Sequence, residues 1–286
     1  MKTNEQTLRA RLREIRLIAL DMDGTCLNSQ GICSPYTRQV LQKLLDRGCL
    51  VVPATGRAYA GLLETLQLQG IPYVISADGA IVTRCKDNQR IYQRLIPCQS
   101  AARLAADLAR STNCVYYHRD DAACSHIMVC RSREIFHALK KYKEQDEFWD
   151  GILQEGLDRQ ILAEGRDVVK MGMWFPPEEG FEGYEALVRQ HYPEISFFRA
   201  DDNVLEFTAA QTSKGKALKA LAKELGIPME QTLAIGDNGN DVEMIQLAGI
   251  GVAMRNAIPE AKRWADWVTG TQDEDGAARF LADFLL

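Results

Sequence analysis

The sequence predicts an α/β fold, a doubly wound parallel sheet with an α+β segment inserted into it. Three observations carry this expectation. Short, continuously apolar runs recur near both ends of the chain. Amphipathic helical stretches separate those runs, the pattern of parallel strands covered on both faces. From about Arg84 to about Leu205 the alternation stops, and longer strand-like runs follow one another with two helical stretches interspersed.

The first run, "LIAL" at 17–20, reads as a central strand because nothing polar interrupts it before Asp21. Ser34-Pro35 opens the helical "YTRQVLQKLLDRG", with serine as N-cap, proline at the first helical position and Gly48 as the stop. The strand "CLVVPAT", a helical "AYAGLLETLQLQG" and the strand "YVIS" come next. In the middle, "NCVYYHR" precedes "CSHIMVC" and "ISFFRA" precedes "NVLEFTA", successions expected of antiparallel pairs. The opening rhythm then returns with the helix "SKGKALKALAKELG", the strand "TLAIGD", the helix "NDVEMIQLAG" and the strand "IGVAM". Two domains are therefore expected, a core of 1–84 with 206–286 and an insertion of 85–205.

The chain's 286 residues, 46% of them hydrophobic, suffice to bury two interiors. With 34 basic against 39 acidic residues the net charge is -5, and basic clusters stay short, as from Arg9 to Arg16. Nucleic acid and anionic membranes are therefore not expected as main partners. The N-terminal "MKTNEQTLRARLREIR" lacks the apolar centre of a signal peptide, and no apolar run approaches the ~20 residues of a membrane-spanning helix. A cytoplasmic location is the expectation. All eight cysteines lie between Cys26 and Cys130 without C-x-x-C spacing, several inside apolar runs, which suits reduced, buried thiols. Cys114, His118, Cys124, His126 and Cys130 carry zinc-type side chains, but closed zinc sites use tighter spacing, and the alternation in "CSHIMVC" suits a packed strand pair. Trp264 and Trp267 are expected to pack the C-terminal helix.

Chemistry concentrates at strand ends. Asp21 and Asp23 follow "LIAL", at the carboxyl end where open α/β sheets bind ligands, and the two-residue period of a strand would turn both side chains to one crevice. Two carboxylates about 4 Å apart repel by roughly 1 kcal/mol in water and about 4 kcal/mol at a protein-like dielectric, so a compensating charge is required. Thr55-Gly56-Arg57 ends the next strand with a hydroxyl, an unhindered backbone N–H and a guanidinium, a plausible phosphate cradle. Ser213-Lys214-Gly215 sets an ammonium at a helix start. In "LAIGDNGNDVEM", Gly236-Asp237 ends a strand and Asn240-Asp241 begins a helix, concentrating oxygen ligands as a hard cation such as Mg²⁺ requires. An EF-hand is excluded because Gly239 falls where that loop wants Asp or Asn, and no P-loop pattern occurs.

Taken in order, D-x-D-G-T at 21–25, "ATGR" at 54–57, "SKGKAL" at 213–218, "GDNGND" at 236–241 and "GVAM" at 251–254 resemble the haloacid dehalogenase superfamily, and within it the Cof-type phosphatases with an α/β cap. The resemblance spans nearly the whole chain and implies a Rossmann-like core with a cap inserted after the third core strand. It also implies roles. Asp21 would be the nucleophile, Asp23 the general acid and base, and Thr55, Gly56, Lys214 and Asn240 the phosphate binders. Asp21, Asp237 and the Asp23 backbone carbonyl would hold Mg²⁺, with Asp241 at the metal or directly behind it. Departures from the family pattern are Asp78 where asparagine is frequent, Arg255 where glycine is usual, and a "GTQDEDGAA" loop without its usual asparagine.

The implied reaction is Mg²⁺-dependent hydrolysis of small phosphorylated metabolites, such as sugar phosphates or phosphorylated cofactors, through an aspartyl-phosphate. The insertion would choose among substrates, since the core motifs recognise only phosphate. A phosphomutase would use the same nucleophile and return the phosphoryl group to a substrate hydroxyl, and the motifs leave that alternative open. A receiver-type signalling domain shares the acidic residues, Thr and Lys but lacks a large insertion and a second acidic loop.

Overall fold

β1 (Leu17–Asp21) is the central strand, parallel to β2 (Leu50–Ala54) on one side and β12 (Thr232–Gly236) on the other. β3 (Tyr73–Ser76) extends the sheet beyond β2, while β13 (Ile250–Ala253) and the two-residue β14 (Trp267–Val268) extend it beyond β12. β4 (Ile81–Arg84) and β5 (Gln89–Gln93) close the β3 edge as antiparallel additions, making eight strands in the order β14-β13-β12-β1-β2-β3-β4-β5. The computed structural model describes residues 5–57, 59, 62–109, 114–120, 125–130, 149–153, 155–174, 182–201 and 204–286.

The unbroken apolar run of β1 has a direct cause. Leu17 and Ala19 belong to one buried cluster with Val52, Leu218 and Leu221, and Ile18 and Leu20 to another with Val51, Leu41 and Leu281. Alternate side chains leave on opposite faces, and both faces are covered by helices, so neither tolerates a polar residue. The helix Pro35–Asp46 begins as expected: Ser34 Oγ accepts from Thr37 N at 3.0 Å and proline takes the first position. Of the helical "AYAGLLETLQLQG", the described helix is Leu62–Leu66, while residues 58, 60 and 61 lie outside the described part.

Internal contacts divide the chain into two units, Met1–Gln93 with Ser213–Leu286, and Arg94–Thr212. The sequence expectation set the boundaries at 84/85 and 205/206. The displacement arises because β5 still pairs with β4 in the first sheet, and β11 (Val204–Ala209) pairs through Ala209 in the second.

The second unit holds a sheet of order β10 (Ile195–Asp201), β11, β9 (Lys170–Trp174), β6 (Cys114–Asp120), β7 (Ser125–Cys130) and β8 (Trp149–Leu153), antiparallel except for β7 with β8. Val115, Tyr117, Met171, Met173, Leu205 and Phe207 share a cluster with residues of the helices Cys98–Leu108, Leu157–Glu164 and Glu182–His191. The described residues thus include three helices here where two were expected.

Two further expectations change. Cys114 is disulfide-bonded, and the residue directly opposite it in the β6–β7 register is Cys130. A disulfide is set by proximity in space, so a reading based on linear spacing alone does not decide it. Cys26, Cys33, Cys49, Cys85 and Cys98 are free thiols, and Cys124 lies outside the described residues. Trp267 packs its ring 5.7 Å from that of Phe284 on the helix Gly276–Leu285, whereas Trp264 is 51% exposed and does not serve that role. No helix among the described residues is long and apolar enough to cross a membrane.

Candidate active site

β1 delivers Asp21 in phase with Leu17 and Ala19, on the face where the helix Lys214–Glu224 packs. That helix is capped by Ser213, whose Oγ accepts from Lys216 N at 3.1 Å, and the cap sets Lys214 at the first position. Lys214 is 1% exposed, and its Nζ donates to Asp21 Oδ1 at 2.6 Å and to Asp241 Oδ1 at 2.7 Å. Asp241 Oδ2 accepts from the backbone N–H of Asp237 and of Asn238, both at 3.0 Å. The loop after β12 is thus closed on its own carboxylate. Thr25 Oγ1 donates to Asp237 Oδ1 at 2.9 Å, joining this loop to the one after β1.

The charge that compensates Asp21 is therefore Lys214, brought from almost two hundred residues away and shared with Asp241. Asp21 carries a pKa well above the usual carboxylate range, because burial and the Asp241 charge outweigh the ammonium beside it. Asp237 is raised too, by burial and by Asp241, against the lowering effect of the Thr25 hydroxyl. Burial alone would depress Lys214, but the charges of Asp21, Asp241 and Asp78 prevail and its pKa is raised.

Asp23 reaches its place by a different route from the one the strand period suggested. β1 ends at Asp21, Met22 turns into the core, and its carbonyl accepts from Thr25, Cys26 and Leu27 N–H. Gly24 adopts φ +80°, and a Cβ there would lie 2.5 Å from Asp237 Oδ2, so both backbone and space call for glycine. This turn, not the strand pleat, orients Asp23, whose carboxylate forms a bidentate pair with Arg57 at 2.8 and 2.5 Å. Both partners are half exposed, at 54% and 46%. Arg57, read from sequence as part of a phosphate cradle, is engaged with Asp23 instead.

Thr55 is buried at the end of β2, and its Oγ1 accepts from Arg57 N at 3.1 Å. Asn240 Nδ2 donates to Asp78 Oδ1 at 2.9 Å, and a Cβ on Gly56 would stand 2.8 Å from the same oxygen. Asp21, Lys214, Asp237 and Asp241 thus form one group, Thr55, Gly56 and Asn240 gather around Asp78, and Asp23 pairs with Arg57.

Three residues given no role from sequence belong to this network. Thr25 was visible within D-x-D-G-T, and Asp78 only as an unusual residue. Asn256 gave no local signal: its Nδ2 donates to Gly24 O at 2.8 Å and lies 3.5 Å from Asp237 Oδ2, while its Oδ1 accepts from Gln272 N at 3.2 Å. It braces the turn from the loop after β13, a proximity that exists only once the strands are ordered.

One carboxylate oxygen from each of Asp21, Asp237 and Asp241 lies within 4.8 Å of the others. Clustered carboxylate oxygens suit a hard divalent cation. Asp241 accepts three bonds from the chain itself, so Asp21 and Asp237 have the freer oxygens.

The sequence profile of the haloacid dehalogenase-like hydrolases matches residues 18–281. The 5-amino-6-(5-phospho-D-ribitylamino)uracil phosphatase YwtE of Bacillus subtilis is 29% identical over 95% of this chain and 98% of its own. Phosphatase YwpJ of the same organism is 30% identical over 95% of this chain and 100% of its own. The crystal structure of a haloacid dehalogenase-like hydrolase from Bacteroides thetaiotaomicron superposes with a TM-score of 0.80 at 25% identity, covering 94% of this chain and 99% of that one.

Proposed function

Because the chain belongs to the haloacid dehalogenase-like hydrolases, as a phosphatase of the Cof type, we propose that it hydrolyses small phosphate monoesters with Mg²⁺ through a phosphorylated Asp21. The observation that carries this reading is the buried Asp21–Lys214–Asp241 group with Asp237 beside it, at the carboxyl ends of β1 and β12. Mg²⁺, held by Asp21, Asp237 and the Asp23 carbonyl with Asp241 at or directly behind it, would supply the positive charge that lets an anionic nucleophile approach an anionic ester.

Each residue then has a task. An Asp21 carboxylate oxygen forms a bond to phosphorus as the ester P–O bond breaks, and Asp23 gives its proton to the departing oxygen. In the second half Asp23 takes a proton from the water that attacks the phosphorylated Asp21, and phosphate leaves. An ammonium has three donors; Lys214 spends two on Asp21 and Asp241 and keeps one for a phosphate oxygen. Thr55, Gly56 and Asn240 supply further donors. Arg57 donates to both Asp23 oxygens and so orients the carboxylate. Choice among esters falls to the unit 94–212, since the core residues address only the phosphoryl group. Sugar phosphates and phosphorylated cofactors are the substrate class we favour.

The test is release of inorganic phosphate from a panel of such esters with Mg²⁺ and after exhaustive chelation. Release that depends on the metal is expected. Full activity in chelator would overturn the metal role, and transfer to a second substrate hydroxyl without release would make the protein a mutase.

A further inference from the structure

A buried carboxylate beside a proposed anion site is counterproductive unless it does something else. Asp78 is 5% exposed and stands among the three segments assigned to phosphate binding. Its Oδ1 accepts from Asn240 Nδ2 at 2.9 Å. Its backbone N–H donates to Thr55 O at 3.0 Å, and Ala77 N donates to Arg57 O at 2.9 Å, so the 77–79 turn is stitched to the end of β2. On its far side the turn is pressed against the start of the Lys214 helix, where a Cβ on Gly79 would lie 2.2 Å from Ser213 O.

The turn is also strained. Ala77, Asp78 and Gly79 have φ of 48°, 57° and 93° in succession, a sequence of left-handed conformations that only glycine adopts freely. Such strain persists where the surroundings over-determine it, commonly at functional sites.

We propose that Asp78 is a positioning residue for phosphate binding, whose carboxylate commits one amide N–H of Asn240 to the protein and so leaves the other for a phosphate oxygen. The inference rests on the phosphatase reading above and adds a residue to it. Its chemical basis is that an ionised carboxylate only accepts. An asparagine amide is ambiguous, with a carbonyl at one end and two N–H donors at the other; facing an acceptor-only partner, it has to present nitrogen. The carbonyl end, repulsive to phosphate, is thereby kept out of the contact. The same turn holds the backbone of Thr55 and the cap of Lys214 in fixed relation to that amide.

The experiment measures Kd for inorganic phosphate with Mg²⁺, together with KM and kcat for a nitrophenyl phosphate, in the wild type, Asp78→Ala, Asp78→Asn, Asn240→Ala and Asp78→Ala/Asn240→Ala. Asp78→Ala is expected to weaken phosphate binding and raise KM about tenfold, with kcat changed less than about threefold, as loss of an oriented ground-state contact requires. Asp78→Asn, whose Oδ1 can still accept from Asn240 but whose amide no longer forces nitrogen toward it, should recover only part of that loss. In the Asn240→Ala background, Asp78→Ala should cost less than about twofold more, because the partner it positions is gone. Equal effects of Asp78→Ala and Asp78→Asn, or a full tenfold loss in the Asn240→Ala background, overturns the inference while leaving the phosphatase reading intact. A wild type that neither binds phosphate nor releases it overturns both. Thermal midpoints are recorded for every variant; should Asp78→Ala fail to fold, an Asp78→Asn protein as impaired as Asn240→Ala or indistinguishable from wild type overturns the inference, and one between the two supports it.

Discussion

Replacing Lys214 by methionine isolates the charge that holds the acidic cluster together. Methionine fills a similar volume, so the change removes two ion pairs, at 2.6 and 2.7 Å, from a site where the lysine is 1% exposed. At an effective dielectric near 20 each contact is worth about 6 kcal/mol before desolvation is subtracted. The carboxylates left behind lie within 4.8 Å of one another, which adds a repulsion of about 3 kcal/mol per ionised pair at the same dielectric. Desolvation offsets much of the gross attraction, and breaking a buried pair by removing one partner costs roughly 3–5 kcal/mol net. We therefore expect Lys214→Met to lose about that much unfolding free energy in chelator, and less than about 2 kcal/mol with saturating Mg²⁺, because the cation supplies the missing charge. Urea unfolding with and without Mg²⁺ measures both values. A loss below about 1 kcal/mol in chelator, or an equal loss in the two conditions, would refute the view that Lys214 and a metal compensate the same carboxylates.

Asp21→Asn should abolish turnover and show no phosphoenzyme, whereas Asp23→Asn should slow proton transfer by about 10²–10⁴-fold and accumulate a hydroxylamine-sensitive phosphoenzyme from a nitrophenyl phosphate; label on Asp23 in a trapping experiment would reverse the two roles. Gly24→Ala should cost at least about 1 kcal/mol of stability and weaken Mg²⁺ binding, since its Cβ would stand 2.5 Å from Asp237 Oδ2 at φ +80°; calorimetric Mg²⁺ titration reads the second effect, and unchanged affinity counts against the Asp237 assignment. The acidic cluster also sets a pH dependence. Asp21 and Asp237 have pKa values above those of the unfolded chain, so their contribution to the metal-free protein is fully present below the unfolded carboxylate range and is lost as pH rises through their folded values. Mg²⁺ favours the ionised forms and cancels that loss, so the stability gained on adding it should grow as pH rises above the unfolded carboxylate range, and a gain independent of pH would contradict the assignment.

The sheet core and the position of Asp21 were legible in the sequence for one reason. A strand buried on both faces admits no polar side chain along its length, so the first aspartate after "LIAL" has to mark its carboxyl end. The cap at Ser34 and the helix start at Ser213 were equally local, each a hydroxyl meeting an N–H three residues on. The pairing of Asp21 with Lys214, the brace from Asn256 to Gly24 and the bonding of Asn240 to Asp78 each join residues more than 150 positions apart. Nothing in local spacing encodes such contacts; they follow from a strand order that sets β12 beside β1 and β3 beyond β2. Asp23 shows the same limit over a shorter distance. Strand alternation suggested its direction, but alternation governs only residues whose backbone is extended, and the chain leaves the strand one residue earlier, so a turn and the Arg57 pair set its place. The sequence by itself determined which acidic and polar residues stand at the carboxyl ends of the strands. Only the tertiary structure decided which charge faces which, because electrostatic partners are chosen by distance in space.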